Sequence, residues 1–277
     1  MACNMDLHNV LTLFTSKNVT DEDKNKAAFV ISSCTIDNPR NRHTIGSFND
    51  GLALQMLVGM LEVKSGEQGA VDSAALAAEA IWILAFNNAN NHNYFLSNDA
   101  ISSLSDLVKY QNQILSTQRA KMWAAAALQN IAASYCKTST GHCWWDYYGE
   151  GGLYLLPESP LRDDLGEKAR DIVMQDTDLI SHFKREVCKG PISTHPMPSK
   201  ATNTDNLPTQ IVTWAYLGVL KNLALSVSAP EIFRPIIHCL CDLSHSQDWL
   251  VSFPMICVLH KETKYKLVDS ECYFLVW

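Results

Sequence analysis

Residues 123–132 read Trp123-Ala124-Ala125-Ala126-Ala127-Leu128-Gln129-Asn130-Ile131-Ala132. The stretch is apolar nearly all round, and a helix of that kind has no solvent face to offer, so it must be buried. Two other stretches share its make-up: Glu79-Ala80-Ile81-Trp82-Ile83-Leu84-Ala85-Phe86, and Trp214-Ala215-Tyr216-Leu217-Gly218-Val219-Leu220-Lys221-Asn222-Leu223-Ala224. Anchored on their leucines, the copies fall at 84, 128 and 220, steps of 44 and 92, the second being twice 46. A weaker copy, Ala28-Phe29-Val30-Ile31-Ser32-Ser33, places Ala28 52 residues before Ala80. A period in the mid-forties carried by Ala-rich buried helices marks a helical solenoid. Small residues sit where an inner helix must approach neighbours on both sides, and large ones fill the gaps between layers.

The flanking sequence reads as further helices. Asp6 to Phe14 carries a stripe of Leu7, Val10, Leu11 and Phe14. Thr20 opens the next helix as a cap, with Asp21, Glu22 and Asp23 in its first turn, and Pro39 sets its limit. Leu52 to Val63 repeats Leu54, Leu57, Val58 and Leu61, and Ala100 to Tyr110 repeats Ile101, Leu104, Leu107 and Val108. The buried helices are expected over Ala74 to Phe86, Ala120 to Tyr135 and Thr209 to Val227.

Ala127-Leu128-Gln129-Asn130-Ile131-Ala132 and Val219-Leu220-Lys221-Asn222-Leu223-Ala224 resemble the third helix of armadillo repeats, whose consensus is A-L-x-N-L-A. Ala80-x-Trp82-x-Leu84 looks like the same helix, with Phe86 in the register of the asparagine. Asn90-Asn91-His92-Asn93-Tyr94-Phe95 resembles the loop between repeats. Ala100-Ile101-Ser102-Ser103-Leu104-Ser105-Asp106-Leu107 resembles the family's G-A-I-x-x-L-x-x-L helix, with Asp99 where the glycine usually stands. The resemblance covers roughly 1–135 and 209–246. It implies an all-α, right-handed superhelical armadillo-like solenoid with a non-repeat insertion; HEAT repeats are the nearest confusable pattern. The expected organisation is armadillo-like repeats over 1–135, an insertion over 136–208, a further repeat over 209–249 and an atypical tail over 250–277.

The insertion opens with aromatics and glycines (Trp144, Trp145, Tyr147, Tyr148, Gly149, Gly151, Gly152, Tyr154), where a helix is disfavoured. Leu165 to Val187 reads as one or two helices, and 190–208, with four prolines, as a loop. The tail ends on Phe274-Leu275-Val276-Trp277, without the polar cap that closes a solenoid, which leaves open a piece of a longer repeat protein or a subunit interface.

Composition narrows the function. Of 277 residues, 22 are Lys or Arg and 29 Asp or Glu, a net charge of −7. Nucleic-acid binding is not expected, because a phosphate backbone rewards a surplus of cations. No uncharged apolar run of about 18 residues occurs, so no membrane insertion is expected. Nine irregularly spaced cysteines and no signal-like start read as reduced thiols in a cytoplasmic or nuclear protein.

No chemical motif stands up. Gly141-His142-Cys143-Trp144-Trp145 is similar to the nucleophile segment of papain-like proteases, but no upstream glutamine stands at the required spacing. Gly149-Glu150-Gly151-Gly152 lacks the Lys-Ser/Thr of a phosphate loop. On a helix, His238, Cys241 and His245 share a face beside Cys239, with Cys188 or Cys257 as a further zinc ligand; small buried thiols are the simpler account.

The chain is therefore expected to be no enzyme, to need no cofactor and to bind a protein or peptide. In armadillo proteins that bind extended peptides, the asparagine of the third helix bonds the peptide backbone, and an amide suits this by offering donor and acceptor. The resemblance makes Asn130 and Asn222 partner-binding candidates, with Trp82 beside them; the other reading is that both asparagines bond backbone between repeats. Trp144 and Trp145 are added as exposed aromatic anchors. Ala126 and Gly218 stand where nuclear-import adaptors carry their tryptophans. The expected function is a scaffold or adaptor holding a partner segment in its concave groove, and the charge suits a basic partner. The alternatives are a nuclear transport or trafficking adaptor, and an enzyme or zinc protein centred on 136–154 or 238–245.

Overall fold

A computed structural model describes residues 7–63, 67–86, 88–111, 115–133, 164–188, 209–223, 226, 233–236 and 239. Residues 115, 116, 164, 209–211 and 214 are described by backbone alone. Every regular element among the described residues is helical. The long inner helices are α2 (Asp21–Thr35), α5 (Gln68–Ala85), α8 (Leu115–Ile131) and α11 (Thr209–Leu223), each packed on the next. The shorter ones are α1 (Leu7–Phe14), α3 (Pro39–Ser47), α4 (Leu52–Gly59), α6 (Ala89–Ser97), α7 (Ala100–Lys109), α9 (Asp164–Gln175) and α10 (Thr177–Val187). A pair of short helices precedes each of α5, α8 and α11.

The ladder forms for the reason its composition suggests. Ala74, Ala75, Ala77, Ala78 and Ala80 of α5, and Ala124, Ala125, Ala126 and Ala127 of α8, are all buried. Their small side chains let backbones approach, while Leu54, Leu57, Ile81, Leu84, Leu104 and Leu128 fill the layers. Each such large apolar side chain contributes about 1.5–3 kcal/mol on burial.

Local signals set the boundaries. Thr20 caps α2, its Oγ1 accepting from the Asp23 N–H. Pro39 does not merely bound α2, which ends at Thr35; it starts α3 at the first helical position, where its missing N–H costs nothing. Asp99 takes the left-handed conformation, φ 54°, before α7. Glycine occupies that turn most readily, and aspartate is among the few side chains that tolerate it.

Asn90 to Phe95, expected as a loop, lies in helix α6. The Asn88 side chain accepts from the Asn91 N–H to start it, and Asn91, His92 and Phe95 are buried along it. Its asparagines hid a helix because they act as caps and clasps, not as turn formers.

Those clasps solve a recurring problem. The last carbonyls of every helix lack intrahelical partners. At the end of α2, Asn41 Nδ2 donates to Cys34 O (2.8 Å) and Arg42 to Thr35 O (2.9 Å). At the end of α5, Asn91 Nδ2 donates to Leu84 O (2.9 Å) and also to Arg42 O (3.0 Å). At the end of α8, His92 Nε2 reaches Ile131 O and Arg170 donates to Ala132 O (3.1 Å).

The segment read as one or two helices over 165–187 is two, α9 and α10. They pack on α7 and α11, and α9 also packs on α6. The Asp176 carboxylate starts α10 by accepting from the Leu179 N–H and pairs with Lys109 of α7 at 2.8 Å. The span 136–208 thus contains two helices in the positions that α3 and α4 hold before α5.

Candidate functional site

The site candidates are built on the ladder. Trp82 and Asn130 lie on neighbouring rungs, α5 and α8. Asn130 is 7% exposed, and its Nδ2 donates to the Trp82 carbonyl at 2.7 Å. Asn222 of α11 is 4% exposed and donates to the Gln129 carbonyl of α8 at 2.6 Å. Each asparagine therefore spends its amide N–H on the backbone of the preceding inner helix, as the second of the two sequence readings has it. The bond links rungs 48 and 93 residues apart in sequence.

Gly218 has a matching reason. A Cβ there would come within 3.0 Å of Gln129 Nε2, so the side chain of the neighbouring rung fills the space where a tryptophan was looked for.

The Trp82 ring is half-buried and faces Trp123 of α8, with ring centroids 4.9 Å apart and planes tilted by 33°. Trp123 Nε1 is buried without a hydrogen-bond partner among the described residues. One turn earlier on both helices, Arg119 reaches the Glu79 carboxylate at 3.1 Å. Burial pushes the Glu79 carboxyl above the ordinary range, and the guanidinium pulls it only part of the way back. Glu79, Arg119, Trp82 and Trp123 thus form one strip across α5 and α8: an ion pair followed by a stacked aromatic pair. Sequence reasoning kept only Trp82. Glu79 stands three residues before Trp82, and Arg119 four before Trp123, so both helices repeat a charge one turn ahead of the ring; that spacing was the available signal.

Trp144 and Trp145 lie outside the described residues, as do Cys143, His238, Cys241 and His245. Among the described residues, no group of three or more His, Cys, Asp or Glu is placed to hold a metal. Nor is any described helix long and apolar enough to cross a membrane.

One expectation is corrected. The cysteines were read as reduced thiols, yet Cys188 and Cys239 form a disulfide, their Cα atoms 5.5 Å apart. Cys188 ends α10, and Phe233 and Ile236 join the same core as Phe183 and Val187 of α10. That packing brings together two cysteines 51 residues apart, which irregular spacing does not reveal, and it removes both Cys188 and Cys239 from the zinc set.

No protein-family model matches the sequence, and no curated protein matches it. Solved structures do. The chain is similar to the crystal structure of an engineered protein, with a TM-score of 0.62, 16% identity, and coverage of 98% of this chain and 88% of that one. It is also similar to the armadillo repeats only protein from Plasmodium falciparum, with a TM-score of 0.51, 14% identity, and coverage of 86% and 80%. With its ladder of long helices, each preceded by short ones, the fold is that of an armadillo-type helical repeat protein, an all-α solenoid.

Proposed function

We propose that this chain is a non-catalytic scaffold or adaptor that holds an extended partner segment along the exposed side of the α2–α5–α8–α11 ladder. Armadillo-like folds commonly serve as protein-interaction scaffolds. Stacked repeats offer a long surface with no chemical centre, which suits binding better than turnover. The observation that carries the reading is the strip formed by the Glu79–Arg119 pair and the stacked Trp82–Trp123 rings. Aromatic faces accept the aliphatic stem and the charge of a lysine or arginine, and a partly desolvated carboxylate beside them favours a cation. The net charge of −7 points the same way. A segment rich in lysine or arginine is therefore the partner chemistry proposed. The buried asparagines act in this reading as rung-to-rung clamps that keep the strip in register.

The test uses the full chain against a displayed library of extended peptides, compared with Trp82→Ala, Trp123→Ala and Glu79→Gln. Trp82→Ala removes the ring and leaves the carbonyl that Asn130 uses. Basic peptides are expected to bind the wild type and to lose roughly tenfold or more on each substitution, a loss of the order of one cation–π contact, with helical content unchanged. Equal binding by folded variants, or enrichment of acidic peptides, overturns the proposal.

A further inference from the structure

The Cys188–Cys239 bond joins the two ends of a stretch that contains the whole of α11. Before that stretch, α10 packs on α11: the Phe183 and Tyr216 rings lie 5.1 Å apart, and His182 Nε2 meets the Tyr216 hydroxyl at 3.3 Å. After it, Phe233 and Ile236 are buried in the same core. Among the described residues, the bond from Asn222 to the Gln129 carbonyl clamps α11 to α8.

The two cysteine residues differ in exposure. Cys188 caps the end of α10 and is exposed, whereas Cys239 is half-buried. The more exposed cysteine of a pair is where thiol–disulfide exchange enters, since exchange needs a clear line of attack.

We propose that Cys188–Cys239 is a reversible thiol–disulfide latch that sets how firmly α11 is held against α8. The co-reactant is a low-molecular-weight disulfide such as glutathione disulfide. The Cys188 thiolate attacks one of its sulfurs, forming a mixed disulfide and releasing one thiolate. The Cys239 thiolate then attacks the Cys188 sulfur, closing the internal bond and releasing the second. Two protein thiols are oxidised to one disulfide, one small disulfide is reduced to two thiols, and the two cysteine protons pass to the thiols released. Cross-linking a loop of about 50 residues removes chain freedom from the opened form, suppressing its population by up to roughly a thousandfold. The latch does not depend on what the ladder binds.

The full chain is equilibrated in glutathione buffers of increasing oxidised fraction, alkylated, and mapped by mass spectrometry. Hydrogen exchange of 209–223 is followed in the oxidised wild type, the reduced wild type and Cys188→Ser. The expected result is a 188–239 cross-link that forms and disappears reversibly, with α11 protection lower by roughly tenfold or more in the reduced protein and in the variant, and α2 protection unchanged. Separate alkylation of the two cysteines throughout the series overturns the proposal, as does a cross-link that leaves α11 protection the same. The reduced wild type supplies the answer if Cys188→Ser fails to fold.

Discussion

Gly46→Ala separates ordinary helix propensity from the clasp that joins the first repeats. Gly46 lies in α3, and a glycine-to-alanine change in an open helix stabilises by about 0.5–1 kcal/mol. Here the new Cβ would stand 2.6 Å from Asn91 Cγ, inside the amide's own space. Asn91 is 1% exposed and donates to both Arg42 O and Leu84 O. To admit a methyl group the amide must leave, which orphans the Leu84 carbonyl at the end of α5 and the amide's own N–H, and strips the Arg42 carbonyl of its second bond. Each unsatisfied buried group costs about 1–3 kcal/mol, so a net loss of about 2–4 kcal/mol is expected after the propensity gain. In an Asn91→Ala background the clash has already gone, and the same substitution should be neutral or stabilising by about 0.5–1 kcal/mol. A double-mutant cycle by urea denaturation, read by far-ultraviolet circular dichroism, should therefore return a coupling of at least about 2 kcal/mol. Additivity within about 0.5 kcal/mol, or a wild-type background stabilised by Gly46→Ala, would refute the argument.

Three further outcomes follow from the same geometry. Burial pushes the Asp176 carboxyl up, but Lys109 and the Leu179 N–H outweigh it, so its pKa lies below the ordinary value. A depressed carboxylate stabilises the fold above its unfolded pKa and loses that contribution as pH falls through the folded value; exchange protection of α10 should drop with acid below about pH 4, and Asp176→Asn should flatten that dependence. Asn222→Ala leaves the Gln129 carbonyl without its donor and should cost about 1–3 kcal/mol, measured by thermal denaturation; a shift within error would show the clamp to be idle. Asp99→Val, which forces a β-branched side chain to φ near 54°, should cost about 1–3 kcal/mol, whereas Asp99→Gly should be neutral or better in the same assay.

Much of the candidate strip was legible and much was not. Trp82 was visible as part of a repeat, and Asn130 and Asn222 as its recurring amide. Their hydrogen-bond partners were not, because an amide satisfies a peptide and a neighbouring rung equally well. Trp123 and Arg119 were in plain view within α8, but their value depends on facing Trp82 and Glu79 across 40 or so residues of chain. Helices α3 and α6 escape notice because short, polar segments carry too few apolar residues to show a period. Capping and tertiary burial of Arg42, Asn91 and His92 make them helices.

The amino-acid sequence by itself determined the all-α class, the long buried helices, their mid-forties spacing and the helix start at Thr20. Those features rest on local chemistry: side-chain size, hydrophobic period and the satisfaction of N–H groups within one turn. Tertiary structure alone decided which rung clamps which, that Gly46 and Gly218 make room for amides, that Glu79 sits beside Arg119 and that Cys188 meets Cys239. Each of those depends on residues from about 40 to 93 positions apart. Stacking sets their distance, and no local rule along the chain encodes how one repeat is turned against the next.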